Sequence, residues 1–332
     1  MTRAEPKTLS ATQVPVIDIS PLYAGGDPTA VARELYRAAT EVGFIYVRGH
    51  GISRETIART REHGFRFFRL PAEEKAKSAT NSYHHGYLRP GGSKMYDDAK
   101  VDLKESFLWG VELDDAAYAA ARDNPMLGPN VWPAALPDFK DGVYPFLPAA
   151  QTCAEHILRA FAIGAGLPAD TFLKHTDRPV SRGSIQYYPP QPADSNGEQF
   201  GVAPHTDFGV LTVLCQDEVG GLQIQDLHGD WLAVPPIPDT LVINVGDLLE
   251  RWSNGVYRST PHRVINASGR ERMSLVVGYD PNYESLVDPA VMCRDADDEP
   301  KYQPITVGDY LMWRFEKAFA YRKADGGETH AH

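Results

Sequence analysis

Three cysteines in 332 residues, Cys153, Cys215 and Cys293, are too few and too scattered for a disulfide framework or a thiolate metal site. Reduced thiols and a cytoplasmic setting are therefore expected. The chain has no apolar run near the roughly 18 residues that a bilayer span requires. Its first twenty residues carry charges and Pro6 but no apolar core of the kind a secretory leader has, which predicts neither export nor a membrane. A basic excess is missing as well: 33 Lys and Arg stand against 44 Asp and Glu, a formal charge of -11. Without a clustered positive surface, a nucleic-acid backbone finds no counter-charge, and a small-molecule substrate is favoured. What is present is an ordinary globular composition, 42% hydrophobic and 23% charged, without internal repeats. That is enough for one large domain, or a main domain with an accessory lobe, as a monomer or weak homo-oligomer.

The strongest local signal is His205-Thr206-Asp207, joined after a long gap by His262. Skipping one residue along an extended strand returns both members of His-x-Asp to the same side. His262 precedes Arg263-Val264-Ile265, a short apolar run suited to another strand. Two imidazoles and a carboxylate on one face leave about three positions of an octahedral metal open, the ligand set of non-haem Fe(II) oxygenases. Ten residues after His262 stands Arg272-Met273-Ser274, whose first and third side chains share a strand face. A guanidinium with a hydroxyl beside it suits a carboxylate.

Periodicity predicts helices over Ala30 to Val42, Arg54 to Arg69 and Tyr144 to Gly166. From Gly183 the texture changes to short β-type runs parted by Gly, Pro, Asp and Asn. They are Ser184–Tyr188, Val210–Cys215, Leu222–Gln225, Trp231–Val234, Thr240–Val245 and Met273–Tyr279. Many short strands with such turns point to a sandwich or jelly roll. Asp247 to Ser253 predicts a short helix beneath the site. Residues 78 to 110 are less regular, with a loop from His84 to Gly92 and then a strand from Lys104 to Gly110. Adjacent histidines on an extended chain face opposite ways, so His84 and His85 are expected to line a pocket or surface rather than share an ion. His50, between two glycines, reads as a turn residue. The tail from Gly326 to His332 reads as flexible, with solvated histidines.

In order along the chain, Val14-Pro15-Val16-Ile17-Asp18, Gly43-Phe44-Ile45-Tyr46-Val47 with Gly49-His50-Gly51, and Phe67-Phe68-Arg69-Leu70-Pro71 precede Gly128-Pro129-Asn130-Val131-Trp132-Pro133 and Tyr187-Tyr188-Pro189-Pro190. With the triad, these segments make the chain resemble the isopenicillin N synthase-like group of Fe(II)/2-oxoglutarate-dependent dioxygenases over nearly its whole length. The resemblance implies a mixed α/β, mainly β fold: a double-stranded β-helix (jelly-roll) core with flanking helices and an α/β amino-terminal region. The expected division is an amino-terminal dioxygenase region over 1–125, a connecting helical segment over 126–180, the jelly-roll core over 181–285, and a carboxy-terminal helix and tail over 286–332.

The same resemblance implies Fe(II) on His205, Asp207 and His262, with 2-oxoglutarate and dioxygen as co-substrates. Arg272 and Ser274 would hold the far carboxylate of the oxo-acid, Tyr188 would add its phenol, and Gln186 stands where the group often has Asn. Arg89, Lys104, Phe208 and His84 are candidates for the substrate pocket, the first two as charges able to hold a carboxylate or phosphate. The expected activity is oxidation of a small metabolite or natural-product intermediate, hydroxylation by default, with desaturation or cyclisation open to the same centre. Two other readings stay open at this point: an isopenicillin N synthase-like oxidase that does not use 2-oxoglutarate, and a non-catalytic jelly-roll binding protein.

Overall fold

A computed structural model describes residues 14–92, 102–190, 200–293 and 298–319. Strand β1 (Val16–Asp18) leads through α1 (Ser20–Tyr23) and α2 (Thr29–Glu41) to β2 (Phe44–Arg48). Helix α2 forms because Ala32, Leu35, Ala38 and Ala39 recur every three or four residues and are buried together. Helix α3 (Arg54–Phe68) starts where Ser53 Oγ accepts the Thr56 N–H at 3.0 Å, with Glu55 in the first turn. Next come α4 (Ala72–Ala76), β3 (Gly86–Leu88), β4 (Glu105–Gly110), α5 (Asp115–Ala120) and α6 (Phe139–Val143). Helix α7 (Phe146–Gly164) buries Ala150, Cys153, Ala154, Ile157, Leu158 and Phe161 along one side.

The β-rich half contains β5 (Arg182–Tyr188), β6 (Val202–His205), β7 (Leu211–Gln216), β8 (Leu222–Gln225), β9 (Trp231–Ala233) and β10 (Leu241–Val245). Helix α8 (Asp247–Trp252), β11 (His262–Val264), β12 (Arg272–Tyr279), β13 (Leu286–Val287), β14 (Ile305–Thr306) and α9 (Val307–Ala318) complete the described chain. The elements expected from periodicity appear to within one or two residues at each end, but Gly86–Leu88, read as loop, pairs with β4 as strand β3, and the short helices α4, α5 and α6 were not expected. The tail from Gly326 to His332 lies outside the described residues.

Eight strands form the major sheet in the order β1-β2-β10-β7-β12-β5-β4-β3, and four form the minor sheet in the order β6-β11-β8-β9. Together they make the jelly roll. The period of two decides which side chain goes where. On β12, Met273, Leu275 and Val277 enter the core shared with α3 and α7, while Ser274, Val276 and Gly278 line a cavity between the sheets. On β5, Ile185 and Tyr187 face the helices, and Arg182, Ser184, Gln186 and Tyr188 face the cavity. The expected amino-terminal region does not form a separate layer. Its strands extend the major sheet at both edges: β1 and β2 beside β10, β3 and β4 beside β5.

Candidate active site

The cavity between the sheets has a volume of about 210 Å³, and His205, Asp207 and His262 open onto it. Strands β6 and β11 pair antiparallel with His205 opposite His262, and Asp207 follows two residues beyond the end of β6. The metal-binding atoms of the three side chains all lie within 4.8 Å of one another. Asp207 Oδ1 is 3.6 Å from Nε2 of each histidine.

Hydrogen bonds fix how each group presents itself. His205 Nδ1 lies 2.8 Å from the Ala203 carbonyl and His262 Nδ1 lies 3.2 Å from the Thr260 carbonyl. A carbonyl can only accept, so each Nδ1 carries a proton and each Nε2 is the ring atom presented to a metal. Asp207 Oδ2 accepts from Thr212 Oγ1 at 2.6 Å and from Asn244 Nδ2 at 2.7 Å, which leaves Oδ1 facing the imidazoles. Burial, reinforced by the neighbouring His262 ring, holds the His205 imidazole neutral. Burial alone would raise the Asp207 carboxyl, but His262, His205 and the bonds from Asn244 and Thr212 outweigh it and keep the group ionised. A divalent ion requires neutral imidazole and ionised carboxylate, the states in which His205 and Asp207 are held.

The loop that carries Asp207 is held by backbone contact. Asp247 N–H donates to the Asp207 carbonyl at 2.8 Å. A Cβ on Gly246 would strike the Gly209 carbonyl, so the close approach of α8 to this loop requires glycine there. Asp247 Oδ2 accepts from Thr206 at 3.2 Å and Tyr310 at 3.1 Å and pairs with Arg314 at 3.2 Å, while Oδ1 accepts from Ser259 at 2.7 Å. One carboxylate thus ties both ligand-bearing segments to α9. Sequence reasoning gave Asp247 only as the start of a short helix and missed this bridging role. Its position in the first turn of a helix gave no sign of it.

Deeper in the barrel, Arg272 is wholly buried and lies opposite Tyr188 in register, its guanidinium carbon 4.5 Å from the centre of the Tyr188 ring. Nε donates to the Gly220 carbonyl, but among the described residues Nη1 has no acceptor, and Ser274 Oγ, on the same strand face, has no partner either. Among the described residues no carboxylate pairs with Arg272. A buried guanidinium without an anion is costly, so the site is built for an anionic partner. The donor set therefore fits a divalent metal together with an oxo-acid whose far carboxylate reaches Arg272.

Gln186 and Lys104 line the cavity, as do His84 and Phe208. The Gln186 amide is engaged at both ends, with Oε1 accepting from Ser106 at 2.6 Å and Nε2 donating to Ser184 at 2.9 Å. Arg89 is exposed and is not among the residues lining the cavity. His85 points away from His84, with its Nδ1 3.4 Å from the Pro129 carbonyl, and neither joins the metal cluster. His50 sits in its turn, where Nδ1 accepts the Ile52 N–H at 3.2 Å. Sequence reasoning missed Arg182, Asp280, Phe315 and Phe319, which also line the cavity.

A buried two-histidine, one-carboxylate face inside a jelly roll defines the non-haem iron oxygenase class. Comparison with known proteins agrees. Residues 183–281 match the 2OG-Fe(II) oxygenase superfamily and residues 14–135 match the non-haem dioxygenase in morphine synthesis N-terminal family. The chain belongs to the 2OG-Fe(II) oxygenase superfamily, whose members use Fe(II), 2-oxoglutarate and dioxygen. It is 35% identical to the 2-oxoglutarate-Fe(II) type oxidoreductase hxnY of Emericella nidulans, covering 98% of this chain and 97% of that protein. It is 34% identical to a homoarginine-6-hydroxylase of Oryza sativa subsp. japonica, over 90% of this chain and 95% of that protein. A full-length Neurospora crassa protein, solved in complex with alpha-KG and thymine, superposes with a TM-score of 0.80 at 29% identity, covering 90% of this chain and 95% of that one.

Asn244 and Thr212 support a test at the metal face. Asn244→Ala removes one of the two bonds that aim Asp207, and metal affinity is expected to fall by about 10- to 100-fold, the usual cost of losing a group that orients a ligand. Mn(II) titration reads the affinity, and unchanged circular dichroism would show that the fold remains.

Proposed function

We propose that His205, Asp207 and His262 hold one Fe(II), that Arg272 takes the far carboxylate of 2-oxoglutarate with Ser274 and Tyr188 beside it, and that the rest of the cavity positions a small metabolite for hydroxylation. The observation that carries this reading is Arg272, a fully buried cation with an open Nη1 next to the open Ser274 hydroxyl. When bound, the iron supplies activation of dioxygen coupled to oxidative decarboxylation of 2-oxoglutarate. The chain's own contribution is orientation. His205 and His262 offer fixed Nε2 lone pairs, Asp207 offers Oδ1, and the Arg272 fork sets how far along the barrel the oxo-acid lies. Phe208, Phe315 and Phe319 cover the same cavity with apolar surface and keep water from it. Gln186, bonded to Ser106 and Ser184, acts as a rigid part of the wall. The oxidase and binding-module readings draw no support, since relatives along the full length are named for 2-oxoglutarate and iron.

The division at 1–125, 126–180, 181–285 and 286–332 is kept as one of sequence regions within a single cavity-forming unit. A cytoplasmic monomer or weak homo-oligomer accompanies the reading. The three cysteines are unpaired, and no described helix is long and apolar enough to cross a membrane.

The test is succinate formation from 2-oxoglutarate under air with Fe(II), screened against a metabolite library, with mass spectrometry of the products. The expected result is substrate-stimulated succinate and a product heavier by one oxygen. A product lacking two hydrogens would reassign the outcome to desaturation or cyclisation. Substrate oxidation without succinate would overturn the role of 2-oxoglutarate. Mn(II) and 2-oxoglutarate together are also expected to raise the melting temperature, since ligands that bind only the folded state stabilise it by mass action: about 2.7 kcal/mol at a hundred times Kd.

A further inference from the structure

We propose that Lys104 anchors a carboxylate of the substrate, and that the substrate is a compact planar carboxylic acid. This rests on the iron and 2-oxoglutarate reading above and names the substrate class of that site. Lys104 stands just before β4 and lines the cavity, with its side chain 11% exposed. Among the described residues its nearest carboxylate is Asp102, whose Oδ2 lies 4.0 Å away, outside hydrogen-bonding reach. The other Asp102 oxygen accepts the Ala203 N–H at 3.0 Å. The ammonium therefore keeps donors for an acceptor in the cavity.

The remaining polar groups of the wall agree in sign. Ser184 Oγ accepts from Gln186 at 2.9 Å, so its own O–H is left to donate. Asp280, wholly buried, accepts the Val210 N–H at 2.9 Å and pairs with Arg182 at 3.1 Å, so its charge and that of Arg182 answer each other. A Cβ on Gly209 would strike the Asp280 carboxylate, which shows how tightly that pair is enclosed. The cavity thus presents donors to its occupant, and Lys104, 4.0 Å from Asp102 and so ion-paired with it but not hydrogen-bonded to it, is a lining cation with donors to spare. One such charge suits a monoanion; a phosphate dianion would require more.

Shape comes from the aromatic part of the lining. The His84 ring stacks on Phe315 at 5.0 Å and 28°, and lies 4.4 Å from Phe319. Phe208 is 6.2 Å from Phe315, and the Arg182 guanidinium lies 4.7 Å from the Phe315 centre. His84 takes a left-handed backbone, φ 68°, in a turn where Asn81 Oδ1 accepts the N–H of Tyr83 at 3.0 Å and of His85 at 3.1 Å. That left-handed turn, held by the Asn81 side chain, fixes how the His84 ring enters the pocket wall. Flat rings together with donors, lining about 210 Å³ that must also admit the oxo-acid, favour a small planar acid.

The test is calorimetric titration of the protein loaded with Mn(II) and 2-oxoglutarate, using benzoate and its neutral isostere benzamide. Benzoate is expected to bind at least about tenfold more tightly, the gain of a charge-assisted bond over a neutral one. Lys104→Met is expected to erase that preference and Lys104→Arg to retain it. Should the methionine variant fail to bind 2-oxoglutarate, Lys104→Gln is read in its place. Equal binding of the two probes to the unaltered protein, or a preference that survives loss of the ammonium, overturns the proposal. Intact 2-oxoglutarate binding with no preference for the acid removes this inference alone, whereas absence of 2-oxoglutarate binding removes the reading beneath it as well.

Discussion

Replacing His262 with alanine is expected to strip the protein of iron and reduce turnover to below about one part in a thousand, a loss above about 4 kcal/mol at 1.36 kcal/mol per decade. The site has three ligands and no spare. His205 and His262 face each other across one antiparallel pair, and Asp207 Oδ1 lies 3.6 Å from both rings, so removing one ring opens one side of the coordination face. Asp207 itself should remain in place because Asn244 and Thr212 hold its other oxygen. Metal analysis of the purified variant alongside succinate assays checks this. Stoichiometric iron with full activity in His262→Ala would end the assignment.

The second large effect is expected at Arg272. Truncating one partner of a buried charge pair costs about 2–5 kcal/mol, which at 1.4 kcal/mol per decade is a rise of about 30- to 4,000-fold in the Kd of 2-oxoglutarate. Arg272→Met is the informative variant, because it keeps most of the volume and removes the charge. In the unaltered protein without oxo-acid, Arg272 is buried with an open Nη1, an arrangement that costs stability. The methionine variant is therefore expected to melt no lower than the parent in the absence of ligand, while losing the stabilisation that 2-oxoglutarate confers. Arg272→Lys should recover only part of the affinity, since an ammonium lacks the planar fork. Melting curves with and without Mn(II) and 2-oxoglutarate read both effects. A variant destabilised without ligand and still stabilised by 2-oxoglutarate would show Arg272 to be a packing residue.

Most secondary structure was legible because its causes are local. The spacing of Leu35, Ala38 and Ala39 specifies a helix face, and the runs that became β7, β10 and β12 carry their apolar periodicity and their turn residues with them. His205 and Asp207 were legible for the same reason. Two residues apart on extended chain, they share a face whatever the rest of the protein does. The Arg272 and Ser274 pair follows the same rule.

Other features depend on residues brought together from distant parts of the chain. That His262 lies opposite His205, and not one residue out of register with its ring on the far face, is decided by the pairing of β11 with β6 and β8. That strands from the amino-terminal region extend both edges of the major sheet depends on which edge each finds open. Arg182 with Asp280, the Phe315 and Phe319 wall from α9, and the Asp247 bridge from Thr206 to Ser259 and Tyr310 join residues with no common local pattern. By itself the sequence determined the element types, the chemistry of the metal face and the cation meant for an oxo-acid, because period and residue type act over a few neighbours. Only the tertiary structure decided that Arg272 is buried with no carboxylate paired to it among the described residues, and that Lys104 lines the cavity of the metal face while Arg89 lies outside it. Burial and pairing are properties of the closed barrel, and no single segment carries them.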